Sequence, residues 1–292
     1  MNTRSGIAVL LLVSACTASS AAELKPETVK AWYEYICEAN SRMQERLQVD
    51  GRFLWIDEAA DRSQRVRGGE IIVEPVGEHN PRHVPDGLIH DWIGAVFIPN
   101  ARLEDVIGVV RDYNRYKEYY RPIVIESKLI HRDRNEDRAS MLLMNKSLLL
   151  KTALDSDYQS SYFQVDSRRR YSISSTTRIQ EVDGFGEPGE HKLPPDEGSG
   201  YIWRIYTIAR FAERDGGVYI ETEAIALSRD IPFAVRWMLD PIIGRVSYTS
   251  LRTVLQRTQD AVSATVAATL PPATPGSIAP PAATLITSLH RH

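Results

Sequence analysis

The chain has 292 residues, 43% of them hydrophobic and 25% charged, with a net charge of −3 at neutral pH. Such a composition supplies apolar mass for one large globular domain or two small ones, and excludes a low-complexity polypeptide. Without a basic excess there is no electrostatic footprint for nucleic acid, and the run Arg168-Arg169-Arg170 reads as a solvated turn.

The first 22 residues carry an export pattern: Arg4 as the positive head, a short apolar run from Ile7 to Val13, then small residues to Ala22. That run is too short to span a bilayer. Two processing routes are open. Ser20-Ala21-Ala22 suits cleavage before Glu23, whereas Val13-Ser14-Ala15-Cys16 resembles a bacterial lipobox that would leave Cys16 lipidated. Either route predicts an exported, periplasmic protein, anchored by lipid in the second case. Cys37 then has no partner in the mature chain and is expected to be a small buried hydrophobe.

Glu27 to Leu47 has the spacing of an amphipathic helix, with Trp32, Ile36 and Met43 on one face. Arg52 to Ile56 and Gly69 to Val76 read as short strands, and Pro75, Pro81 and Pro85 mark a loop. Leu88 to Ile98 alternates as a strand ending at Pro99-Asn100, with Asn100 the expected N-cap of a helix bearing Leu103, Val106, Ile107 and Val110. Asp112 to Tyr120 is a tyrosine-rich helical piece stopped by Pro122. Ile123 to Ile130, Ser140 to Leu154, Tyr158 to Val165 and Tyr171 to Val182 alternate as strands, and a Gly/Pro-rich loop follows from Asp183 to Gly200.

Tyr201 to Glu213 and Val218 to Arg229 are joined by Arg214-Asp215-Gly216-Gly217, a hairpin turn signature. One face of this hairpin carries Trp203, Ile205, Thr207, Ala209 and Phe211 with Ile220, Thr222, Ala224 and Ala226. The other carries Arg204, Tyr206, Arg210, Tyr219, Glu221 and Glu223, whose opposite charges suit a solvated outer surface. A helix follows, with Val235, Leu239, Ile242, Ile243, Val246, Leu251, Val254 and Leu255 at helical spacing. Asp240 and Pro241 predict a break there, with Asp240 as N-cap of the second piece, which ends near Val262. The domain is expected over residues 23–266, and the Ala/Pro/Thr-rich residues 267–292 form a tail that buries little.

Runs of strands interrupted by a helix pair indicate an α+β fold with an antiparallel sheet. Two segments carry a resemblance: Ala95-Val96-Phe97-Ile98-Pro99-Asn100-Ala101 followed by Asp112-Tyr113-Asn114-Arg115-Tyr116, and Ser228-Arg229-Asp230-Ile231-Pro232 through Pro241. In these placements the chain resembles the START-like (SRPBCC) superfamily over roughly Arg52 to Val262. The resemblance implies a helix-grip fold, a curved antiparallel sheet around a long C-terminal helix, and an apolar cavity for a lipid, isoprenoid or polycyclic ligand. The expected ligand contacts are Trp203, Ile205, Thr207, Thr222 and Ala224 on the sheet, Tyr116 and Tyr120 at the mouth, and Trp237 and Met238 on the helix. Small residues on the sheet face leave volume unfilled or are filled by the helix's bulky side chains; the pattern permits both.

Sharper chemistries find little support. His79 and His83 are four apart, but Pro81 between them forbids a regular helix and no Cys or carboxylate motif accompanies them, so no metal or other cofactor is expected. Hydrolase-elbow, Walker and dinucleotide-binding patterns are missing. The leading reading is a binder of a hydrophobic small molecule, with peripheral membrane association as an extension of export. The rivals are a polyketide cyclase or aromatase, for which Tyr116, Tyr119, Tyr120 and Arg121 form the most suggestive cluster, and an envelope interaction module with a filled core.

Overall fold

The structure is a computed structural model that describes residues 22–48, 52–146, 151–230 and 233–269; the side chains of 145, 146, 151, 152 and 233–243 lie outside that description. Residues 1–21, with Cys16, and the tail from 270 are outside it too.

The elements in chain order are β1 (Ala22–Glu23), α1 (Pro26–Arg46), a 3-10 turn at Trp55–Glu58, α2 (Ala60–Arg67), β2 (Ile72–Pro75), β3 (Arg82–Val84) and β4 (Gly87–Pro99). Then come α3 (Leu103–Val110), a 3-10 turn at Tyr113–Arg115, α4 (Tyr116–Tyr119), β5 (Val124–Arg132), β6 (Glu136–Lys146), β7 (Lys151–Gln164) and β8 (Arg169–Asp183). Short β9 (His191–Lys192) and β10 (Glu197–Gly198) precede β11 (Arg204–Arg214), β12 (Gly217–Arg229) and α5 (Phe233–Thr269). The main sheet has ten strands, all pairs antiparallel, along the path β2-β4-β12-β11-β8-β7-β6-β5, with β3 beside β4 and β9 beside β8. This is the expected α+β layout, with one long C-terminal helix against one face of a large antiparallel sheet.

The hairpin β11–β12 closes as its sequence demands. Arg214 pairs with Gly217, and Asp215 and Gly216 both take positive φ (56° and 79°), the geometry of a two-residue primed turn. Helix α5 lies along β4. Leu255 Cδ1 would stand 2.7 Å from a Cβ at Gly94, Gln259 Nε2 donates to the Phe97 carbonyl at 2.9 Å, and the Tyr248 ring meets Trp92 edge-on. A side chain at 94 would hold the helix off the sheet; Gly94 is what lets it seat. At the other wing, Tyr113 packs on the β6 face with Ala139 and Met141, and Tyr120 reaches across to α5, its hydroxyl 3.0 Å from that of Thr258. The same sheet face thus meets α5 at one end and the tyrosine helices at the other, while those helices touch each other, which requires the face to be concave.

Several expectations are corrected. The outer face of β11–β12 is not solvated: Arg210 and Glu221 are fully buried and Glu223 is 3% exposed. Helix α1 covers them, burying Thr28, Trp32, Tyr35, Ile36, Ala39 and Met43 at helical spacing. Charge on a strand signals solvent only when it lacks a partner, and here the partners are internal. Arg210 donates to Glu221 (3.0 Å) and Glu223 (2.9 Å), and Arg42 of α1 donates to Glu223 (3.0 Å) and Asp91 (3.2 Å). Phe53, Leu54, Trp55 and Ile56 form no strand. Their apolar run is continuous rather than alternating, and it folds as a compact turn buried in the same outer layer, followed by the unforeseen α2. Asn100 is not an N-cap but takes a left-handed φ of 63°; Arg102 occupies the N-cap position of α3, without a side-chain cap, and its N–H donates to the Asp105 carboxylate (2.8 Å). Ser140 to Leu154 is two strands, since Lys146 stands opposite Lys151. Arg82–Val84, within the expected proline loop, pairs with β4. Cys37 is exposed, on the solvent side of α1. Helix α5 continues unbroken through Pro241 and past Val262 to Thr269.

Candidate functional site

Strand register places residues from five strands side by side on the concave face. Side chains directly opposite in antiparallel strands share a face. Tyr162, Ser172, Ala209, Thr222 and Gly94 form one row across β7, β8, β11, β12 and β4. Ser160, Ser174, Thr207, Ala224 and Trp92 form the next. Toward the Asp215 turn, the following row holds Arg170, Phe211, Ile220 and Val96, which is bulky and, apart from Arg170, buried. Toward the other end lie Tyr158 and Thr176, then Ile205, Ala226 and His90. The centre is therefore a trough, floored by Ser, Ala and Thr, walled by Tyr158, Tyr162 and Trp92, and stopped by Phe211 and Ile220.

Described side chains cover the floor only in part: Ala209 and Ala224 pack against the cluster that holds Leu251 and Leu255. Ile205, Thr207, Ala209, Thr222, Ala224 and Ala226 are all only half-buried, whereas Tyr206, Ile208, Arg210, Glu221, Glu223 and Ile225 on the other face of the same strands are buried. Tyr158 and Tyr116 show the same condition: burial pushes each phenol up, yet each side chain keeps accessible surface. Three strands set the floor's width, about 10 Å between the first and third at ~4.8 Å spacing.

The expected contacts distribute unevenly. Ile205, Thr207, Thr222 and Ala224 lie together on the floor. Trp203 does not: it is 5% exposed and belongs to the cluster under α1 with Trp32 and Leu227. Parity holds only within paired strand, and Trp203 precedes Arg204, the first paired residue of β11. Tyr116 donates to the Val110 carbonyl and its ring meets that of Tyr120 edge-on, so both stand at the tyrosine wing. The side chains of Trp237 and Met238 lie outside the described residues.

Sequence reasoning missed Tyr158, Ser160, Tyr162, Ser172 and Ser174. Their alternation was visible, but only register shows that two strands' hydroxyls face a third strand's Thr207. The hydroxyl of Ser160 donates to that of Ser174 (2.9 Å), and the hydroxyls of Tyr113 and Tyr162 lie 2.6 Å apart. Charge on this face is compensated. Asp137 is held by Arg111 (2.8 and 2.7 Å) and Arg132 (2.9 Å), which keep its carboxyl below the usual range against the pull of burial. His90 is buried, its pKa pushed down to about 4 by desolvation, so its neutral ring rests 2.9 Å from the Ser228 hydroxyl. Among the described residues no group of His, Cys, Asp or Glu is arranged to hold a metal, and no helix is long and apolar enough to cross a membrane.

A separate cleft of about 610 Å³ opens on the outer layer between Phe53 and the strand turns. Its cations are mostly engaged: Arg214 pairs with Asp57 and Arg169 with Asp166 (2.7 Å).

No family model and no curated protein matches this sequence. Among solved structures the chain is similar to a STAR-related lipid transfer protein from Xanthomonas axonopodis, with 16% identity over 67% of this chain and 98% of that one and a TM-score of 0.39. Human STARD10 is similar at 12% identity, over 69% of this chain and 77% of that one, with a TM-score of 0.40. The Zhui aromatase/cyclase from a Streptomyces species is similar at 13% identity, over 61% of this chain and 98% of that one, with a TM-score of 0.37. Likeness at this level settles neither ligand nor activity, and the architecture stands on the register and packing given above.

Proposed function

We propose that the chain binds a hydrophobic, lipid-like small molecule in the trough between the concave sheet face and α5. One observation supports this most directly: six floor residues on β11 and β12, interior strands of the sheet, retain accessible surface, while their opposite-face neighbours are sealed. Small floor residues beside aromatic walls make a site whose affinity comes from apolar burial, at about 25 cal/mol per Å² before the costs of ordering. The export pattern at Arg4 to Ala22 supports a periplasmic location, where membranes supply such molecules.

Native mass spectrometry of the freshly purified mature chain tests this, before and after incubation with a panel of lipids, isoprenoids and polycyclic compounds. Bound mass or uptake at one equivalent is expected, and Ala224→Trp, which fills the floor, should abolish it while leaving the far-ultraviolet circular dichroism intact. An apo mass throughout, with no uptake from the panel, overturns the proposal.

A further inference from the structure

We propose that the trough selects a neutral amphiphile carrying hydroxyl or carbonyl oxygens along its body, in preference to both an anionic lipid and a bare hydrocarbon. This rests on the trough being the binding site, as above.

The floor is hydroxylated rather than purely apolar. Ser172 is 6% exposed, and neither it nor Thr207 or Thr222 has a hydrogen-bond partner among the described residues. Ser156, on the same face of β7 as Tyr158 and Ser160, is fully buried and its Oγ makes no hydrogen bond of good geometry; its interaction is with the Tyr158 phenol beside it. A buried hydroxyl without a partner is unfavourable, and among the described residues Ser156 is the one hydroxyl in that condition; those of Thr207 and Thr222 belong to half-buried residues on the same face, where a ligand's polar groups would meet them. The paired hydroxyls there keep capacity as well, since Ser174 accepts from Ser160 and retains its own proton to donate.

Charge argues in the same direction. The two floor rows contain no Lys or Arg. The guanidiniums on that face are engaged: Arg170, in the next row, pairs with Glu104 (2.6 Å), although its Nε is buried without a partner among the described residues, and Arg111 is committed to Asp137 and lies over the Tyr162 ring at 4.5 Å. An anionic group placed on the floor would lose water without meeting a free cation, whereas a neutral oxygen meets hydroxyls that donate and accept. Bare hydrocarbon would leave Ser172, Thr207 and Thr222 dry and unpaired. Spacing refines the match: hydroxyls one row apart on a strand are about 7 Å apart, and those on neighbouring strands about 5 Å. Oxygens at such intervals on a rigid polycyclic or isoprenoid body fit this lattice.

The test uses two skeletons, each in three chemical forms. Purified mature protein is titrated with 25-hydroxycholesterol, cholestane and cholesterol sulfate, and in parallel with a hexadecanediol, hexadecane and palmitate, with bound fraction read by native mass spectrometry. The neutral oxygenated form should bind at least about tenfold tighter than its hydrocarbon and anionic counterparts on the better-fitting skeleton. In Ser172→Ala/Thr207→Val, which keeps side-chain volume nearly constant, that advantage over hydrocarbon should fall about tenfold. Equal binding of the three forms, tighter binding of the anion, or an advantage untouched by the double substitution overturns this inference and leaves the binding reading standing. Failure of all six probes, together with an apo mass across the lipid panel, removes both.

Discussion

Replacing Arg210 with Met probes the layer that sequence alone reads as solvent-facing. The guanidinium is 0% exposed and holds Glu221 at 3.0 Å and Glu223 at 2.9 Å, with those carboxylates 0% and 4% exposed. Met preserves most of the stem that passes Met43, so the loss is chiefly electrostatic. Glu221 would keep the Trp55 and Ile56 backbone but no bonded cation, and Glu223 only the half-buried Arg42. Removing one member of a buried pair costs about 3–5 kcal/mol, because a charge stays behind without compensation. For a chain of this size that is a fall of roughly 1–2 M in the urea midpoint, read by tryptophan fluorescence at pH 8. Two controls sharpen the result. At pH 5 the stranded carboxyls take up protons more readily and the deficit should shrink; and adding Glu221→Gln and Glu223→Gln to Arg210→Met should recover most of the loss at pH 8. A deficit below about 1 kcal/mol, insensitive to pH, is what an exposed pair would give, and would refute the claim that α1 seals this face.

Three further outcomes are expected. Gly94→Val should lower stability by about 2–4 kcal/mol in thermal unfolding, since its Cβ would stand 2.7 Å from Leu255, 2.9 Å from Val73 and 3.0 Å from the Ile72 carbonyl, and a destabilisation under 1 kcal/mol would contradict the seating of α5. Leu255→Ala, at a site 1% exposed, should cost about 2–5 kcal/mol by the same measurement, and a neutral result would place α5 elsewhere. Desolvation and the neighbouring Glu223 raise the Asp91 carboxyl well above its ordinary value of 3.8, so its protonated form is favoured in the fold; that contribution is complete below about pH 4 and is lost as pH rises through the elevated range. Asp91→Asn keeps an acceptor for the Tyr35 hydroxyl and removes the titration, so its stability relative to the parent should rise between pH 4.5 and 8 by on the order of 2–4 kcal/mol; parallel curves would rule this out.

What residue order determined by itself is the local geometry: the period-two alternation of β4, β11 and β12, the Asp-Gly turn between the last two, the apolar face of α1, and a long helix after Arg229. These depend on contacts a few residues apart, and their steric and hydrogen-bonding demands are written in the neighbouring side chains. Alternation says that a strand has two faces but not which is dry. Arg210, Glu221 and Glu223 look like surface until α1, distant in sequence, closes over them with Arg42. The trough depends even more on distant partners. Tyr162, Ser172, Ala209, Thr222 and Gly94 become one row only through the pairing of five strands, and a shift of one residue in any of them would turn its hydroxyl or its glycine to the opposite side. Trp203 and Cys37 went astray for the same reason, because apolar type says that a side chain prefers burial, while only the packed neighbours decide where it is buried, or whether it is.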